Sequence, residues 1–296
     1  MRDLGVVLAV LCGMPAVAAA QDNGQRLLEQ ANSAYRSLHA SNAVDLYRRY
    51  LAAYPDRPDV RVFLGGALLN LDQPEAALNE AKHAIALDPA YAKGYILAGR
   101  IYAAREAWDA AQEFFEKAQH LDKRDIDGWY FSGRAYYDAN RFELAIARFD
   151  EALRIDPAQS RLYENLALAQ DGLGQSSAAE ASFRKALHHA NGAWRPYLAY
   201  GAFLFRQGRG ADALPNLRQA FALAPDVVDV RFELARVLYQ QDHSAEAAGI
   251  LEPAVQSNEC RVHNLMARIH SARGESGPAD VEVRALEHCA TAGARQ

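Results

Sequence analysis

The histidines, cysteines and glycines are where the spacing in this chain invites a chemical reading, and each grouping stops short of a reaction. The patterns H-E-x-x-H, G-x-x-x-x-G-K-[ST] and G-x-S-x-G do not occur. They would have supplied a zinc site with its general base, a phosphate cradle and an activated serine. Gly208-Arg209-Gly210 comes nearest to a glycine loop, but it lies between two helical stretches with no strand before it and reads as a turn. His188 and His189 are adjacent, which on a helix turns them about 100° apart. No cysteine or acid stands four residues on to join them, so they read as solvated residues at a helix end. His263 and His270 share a helix face two turns apart without a further ligand. The expectation is no metal, no cofactor and no enzyme, because a reaction needs an acid, base, nucleophile or metal set within mutual reach.

What would position any functional residue is helical. Of 296 residues, 50% are hydrophobic and 23% charged, enough to bury a sizeable core. The 32 basic and 37 acidic residues leave a net charge of −5, which gives no electrostatic footprint for nucleic acid. Alanine-rich windows recur while alternating β-branched runs are nearly absent, so an all-α chain is expected. A period of 34 organises it. Ile155-Asp156-Pro157 echoes Leu87-Asp88-Pro89 across two periods, with Leu121-Asp122-Lys123 midway, and Pro55 and Pro225 fall in the same frame. The frame gives repeats at 24–57, 58–91, 92–125, 126–159, 160–193, 194–227, 228–259 and 260–290, the seventh two residues short.

In the fourth repeat Trp129, Gly133 and Tyr136, then Ala145, Phe149 and Ala152, are spaced by four and three residues, which places each trio on one helix face. Asp138-Ala139-Asn140-Arg141 separates them, and Gly174, Gly208 and Gly274 occupy that break in other repeats, where a residue at positive φ can close a helix. Each repeat is thus a two-helix hairpin. With Pro157, these residues fill places 4, 8, 11, 20, 24, 27 and 32 of a unit that resembles the tetratricopeptide repeat. Gly65, Gly99, Ala167, Gly201 and Ala235 repeat the eighth place, and Ala77, Ala111, Ala179, Ala213 and Ala247 the twentieth. The resemblance implies an α-solenoid of about eight hairpins, wound as a right-handed superhelix with a concave groove lined by the first helix of each repeat. Small residues at places 8 and 20 let the two helices cross closely, and Trp129 is expected in the core.

If the family's geometry holds, places 2, 5, 9, 12 and 13 face the groove. Arg100, Arg134, Arg236 and Arg268 stand at place 9, Tyr137 and Tyr239 at place 12, and Tyr130 and Phe232 at place 5. Arginine with aromatics is the composition of binding hot spots. The alternative is local pairing, since Asp138 lies four residues after Arg134 and Glu233 three before Arg236. Leu28 before Asn32 does not support the carboxylate clamp that some members of the family use.

Residues 1–20 have the layout of a secretory signal peptide: Arg2, an apolar run from Leu4 to Leu11, a Gly13–Pro15 break, and Ala18-Ala19-Ala20 as a cleavage site. Cleavage after Ala20 would leave residues 21–296 as a single solenoid, periplasmic or secreted, without a transmembrane segment. Two cysteines would then remain. Cys260 opens the first helix of the eighth hairpin and Cys289 ends near it on the second, so a disulfide is expected, with two buried thiols as the alternative. After Cys289 only seven residues follow, and they are glycine-interrupted, so no separate capping helix is expected. The sequence therefore reads as a noncatalytic scaffold for a protein or peptide partner. A structural part in an envelope or polysaccharide-export assembly is the second reading.

Overall fold

A computed structural model describes residues 23–293, and the signal-peptide expectation for residues 1–20 lies outside them. The described residues contain helices and no strand. The chain divides into two compact units, one ending at Pro157 and the other beginning at Ala158. The first unit holds α1 (23–36), α2 (Ala40–Ala53), α3 (Pro58–Asn70), α4 (Pro74–Leu87), α5 (Ala92–Ala104), α6 (Trp108–Leu121), α7 (Ile126–Asp138) and α8 (Phe142–Ile155). The second holds α9 (Ser160–Gly172), α10 (Ser176–His188), α11 (Arg195–Arg206), α12 (Gly210–Leu223), α13 (Val228–Gln240), α14 (Ser244–Leu251), a 3₁₀ helix (Glu252–Ser257), α15 (Cys260–Ala272) and α16 (Ser276–Gly293). Helix starts at Pro58, Ala92, Ile126, Ser160, Val228 and Cys260 coincide with the repeat starts read from the sequence.

The turn inside each hairpin explains the 34-residue punctuation. A residue at positive φ closes the first helix in all eight repeats: Leu38, Asp72, Glu106, Asn140, Gly174, Gly208, Asp242 and Gly274. In the fourth repeat the Asn140 amide donates to the Tyr137 carbonyl at 2.9 Å and the Arg141 amide to the Tyr136 carbonyl at 2.8 Å. This is the paired backbone closure of a Schellman turn. The Arg141 carbonyl then accepts the Ala145 amide at 3.0 Å and starts the second helix. One three-residue link thus satisfies both helix ends, and the second helices need no side-chain cap.

Close crossing comes from the small residues, as expected. Ala77, Ala111, Ala145, Ala179, Ala213 and Ala247 are fully buried. A β-carbon on Gly133 would lie 2.6 Å from the fully buried ring of Phe149, so the hairpin closes only because place 8 is bare there. Repeats three and four are then keyed to each other by buried polar groups. The Ser132 hydroxyl donates to Gln112 Oε1 at 2.6 Å, Gln112 Nε2 donates to the Ser132 carbonyl, and Gln119 Nε2 donates to the Gly128 carbonyl. Because buried amides tolerate few arrangements, this ladder fixes the register of α7 on α6.

The seventh repeat departs from the two-helix expectation. Its second helix ends as α-helix at Leu251 and continues as the 3₁₀ turn of Glu252–Ser257, closed by Asn258 at φ +56°. Pro253 explains the change, because proline has no amide to bond back and its ring crowds the preceding turn. The tighter winding still buries Leu251 and Ala254 at the places where other repeats bury theirs.

Candidate binding site

In the first unit, α3, α5 and α7 are neighbouring first helices and wall a cavity of about 290 Å³. Arg100, Tyr130 and Arg134 all line it, with Leu69, Ala103, Ala104, Phe115 and Phe131 supplying apolar walls. These are three of the four first-unit residues that the spacing places on one face, carried by two adjacent repeats; the fourth, Tyr137, is not among the lining residues. The Arg100 guanidinium lies 4.6 Å from the centre of the Phe131 ring and has no carboxylate partner among the described residues. Arg134 pairs with Asp138 at 2.8 Å, so local pairing and cavity lining hold together there. Arg134 also lies 5.3 Å from the Tyr137 ring, and Tyr137 packs against Phe142. Cation–ring contacts orient a guanidinium without neutralising it, so Arg100 keeps its charge available to an anion.

The second unit brings its sequence-picked residues into stacks. Arg236 lies over Phe205 at 4.6 Å and over Phe232 at 5.8 Å, and Arg268 over Tyr239 at 5.3 Å. Arg236 is paired with Glu233, and burial raises the Glu233 carboxyl above its usual range while Arg236 and neighbouring arginines pull it down. Phe232 and Tyr239 are partly buried against the hydrophobic core. A cavity of about 260 Å³ in this unit is lined by other residues: Trp194, Arg195, Leu198, Arg206, Asp229 and Arg261 among them. Arg195, Asp229 and Arg261 stand at place 2, one of the places that the family's geometry turns to the groove. Arg206 and Arg261 are held by Asp171 and Asp229, whereas Arg195 lies 4.9 Å over Trp194.

Trp129 corrects a core expectation. It is only half-buried, its indole N–H donates to the Lys123 carbonyl at 3.0 Å, and it lines a different cavity with Arg148, Glu116 and Glu151. An indole N–H needs an acceptor, and the nearest one lies in the exposed turn before α7. His188 is exposed at the end of α10, and His189 stacks on Tyr163. His263 and His270 each meet a carboxylate that the spacing did not reveal, Glu282 and Glu275, at 2.6 Å. Among the described residues no group of three histidine, cysteine or acidic residues is placed to hold a metal ion. None of the helices described is long and apolar enough to cross a membrane. Cys260 and Cys289 face each other with Cα atoms 5.7 Å apart, inside the span that a disulfide bridges.

Comparison with known proteins agrees with this architecture. Family models described as tetratricopeptide repeat match residues 28–89 and 204–269, and one described as TPR repeat matches residues 133–174. Anaphase-promoting complex subunit 3 of Schizosaccharomyces pombe is 25% identical over 197 residues, 64% of this chain and 29% of that protein. The chain spans less than a third of the length of the curated relatives it matches. The fold is shared with the Cut9–Hcn1 hetero-tetramer of the APC/C, at TM-score 0.66 and 15% identity over 89% of this chain and 52% of that one. It is shared too with yeast Tom70, at TM-score 0.64 and 19% identity over 90% of this chain and 60% of that one.

Proposed function

From the premise that the chain carries tetratricopeptide repeats, we propose that it is a noncatalytic scaffold whose first-helix face in the first unit holds a protein or peptide partner. The observation that carries this reading is Arg100: a guanidinium stacked on Phe131, without a carboxylate partner among the described residues, at the rim of an apolar cavity shared with Tyr130 and Arg134. A ligand that buries apolar surface there and brings a carboxylate gains a charge-assisted bond without breaking an existing pair. The test is binding of the natural partner by the full chain and by an Arg100→Glu/Arg134→Glu variant. Loss of binding with unchanged helicity supports the reading, and unchanged affinity removes it.

We propose further that the protein acts outside the cytoplasm, in the periplasm or as a secreted protein. The layout of residues 1–20 supports export, and the Cys260–Cys289 pair suits an oxidising compartment. N-terminal sequencing of the protein from its own cells decides this: a chain beginning at Gln21 is expected, and an intact residue 1–20 segment on a cytoplasmic protein contradicts it.

A further inference from the structure

Place 12 of one repeat supplies what place 9 of the next repeat rests on. Arg236 lies over Phe205 from the repeat before it, and Arg268 over Tyr239 from the repeat before it. Arg134 occupies the same ninth place in the fourth repeat. The twelfth residue of the third repeat is Ala103, so the preceding repeat supplies no ring to Arg134 from that place. Where such a ring would be is the 290 Å³ cavity, with Ala103 and Ala104 on one side and Phe115, Tyr130 and Phe131 on the others. Arg134 turns instead to Tyr137 and Asp138 on its own helix. The space is ample, since an apolar cavity of about 150 Å³ already accommodates benzene. The charge around it is unbalanced toward cation, because Asp138 answers Arg134 and nothing acidic among the described residues answers Arg100.

We propose that this cavity receives an aromatic side chain from an acidic peptide segment. The ring lies beneath Arg134 where two other repeats place a ring of their own, and a neighbouring carboxylate pairs with Arg100. This rests on the reading that the first-helix face binds a partner, and it names the chemistry of what binds. Nine of the ten residues that line the cavity belong to the first helices α3, α5 and α7, so a peptide lying along that face can lend it a ring.

A displayed library of random peptides, selected on the full chain and then measured on an Ala103→Phe variant, tests it. Selection is expected to enrich peptides with an aromatic residue flanked by Asp or Glu. Their affinity should fall at least about tenfold on Ala103→Phe, as when a buried aromatic anchor is denied its pocket. On Ala103→Ser it should stay within about twofold, as for an ordinary surface change. Thermal unfolding of Ala103→Phe should come no lower than that of the wild type, because the new ring fills existing space. Independently of that variant, the Ala103 methyl resonance should move upfield when the tightest selected peptide is added. Enriched peptides without an aromatic residue, no enrichment at all, an unmoved Ala103 methyl, or full binding by Ala103→Phe would each overturn the inference. If Arg100→Glu/Arg134→Glu abolishes binding and Ala103→Phe does not, the partner-binding face stands and the aromatic site falls. If neither variant matters, both fall.

Discussion

Reducing the Cys260–Cys289 pair should loosen the eighth hairpin before any other part of the chain. The two cysteines are 29 residues apart in sequence and sit at the adjoining ends of α15 and α16, so a bridge between them closes the whole hairpin. In the chain-entropy account a loop of about 30 residues removes roughly 12 cal/mol/K from the open state, or about 3.6 kcal/mol at 25 °C. That corresponds to a local opening equilibrium shifted by a few-hundred-fold, roughly. The remaining ties divide unequally. Val262, Leu265, Met266 and Ile269 anchor α15 in the core of the second unit, and the buried His263–Glu282 contact is a direct polar tie to α16. Opening should therefore begin in α16. Hydrogen exchange followed by mass spectrometry, with and without a phosphine reductant, reads this directly. Amides between residues 260 and 290 should lose protection on reduction, while those of α3 to α6 stay as they were. Equal protection in both states, or two free thiols in the non-reduced exported protein, would refute the argument.

Ala145→Leu places a larger side chain at the fully buried crossing of α7 and α8, and should destabilise by roughly 1–3 kcal/mol, seen as a lower melting temperature; an unchanged melting point would mean the crossing is looser than described. Gly174 has φ +71° and nothing within 4 Å of where a β-carbon would sit, so Gly174→Val should cost about 1–2 kcal/mol through the backbone alone. Gly174→Asn should cost less in the same denaturant titration, and equal losses would point to side-chain crowding instead. Hydrogen bonding from Arg209, aided by Tyr200, holds the Glu180 carboxyl below its ordinary range. A depressed carboxyl contributes stability above its unfolded-state value, and that contribution is lost as pH falls through the folded-state value. Acid melting curves should therefore steepen less in Glu180→Gln than in wild type, and parallel curves would dismiss the contribution.

Most of the fold was legible because hairpin packing repeats a physical demand every 34 residues. Ala111, Ala145, Ala179 and Ala213 are small for one reason, the close helix crossing, and that reason marks the sequence at each copy. The turns were half legible: glycines announce the left-handed residue at Gly174, Gly208 and Gly274, whereas Leu38 and Glu106 adopt the same conformation with no sign in their type. There the Schellman bonds and helix packing override the local preference. The break after Leu251 needed Pro253 to be weighed against the repeat pattern. On the binding face, Arg100, Tyr130 and Arg134 could be found because place 9 and place 5 share one side of a helix. Their surroundings could not be read that way. A cavity is a property of neighbours, and the small side chain at Ala103 acquires meaning only beside Phe115, Phe131 and Arg134. Trp129 departs from the core for a similar reason, since a large ring at a packing place still follows its polar N–H toward an acceptor at the surface.

Trp129 and Tyr130 are adjacent on α7 yet line different cavities, which makes them a matched pair for the central claim that the first-helix face holds the partner. The measurement is in-cell photocrosslinking of the full chain with a benzophenone side chain placed at residue 130 or, separately, at residue 129. The account predicts a discrete crosslinked partner from residue 130, lost when Arg100→Glu is added, and little or none from residue 129. Crosslinking from residue 129 with none from residue 130 would contradict it and place the partner against the second helices instead.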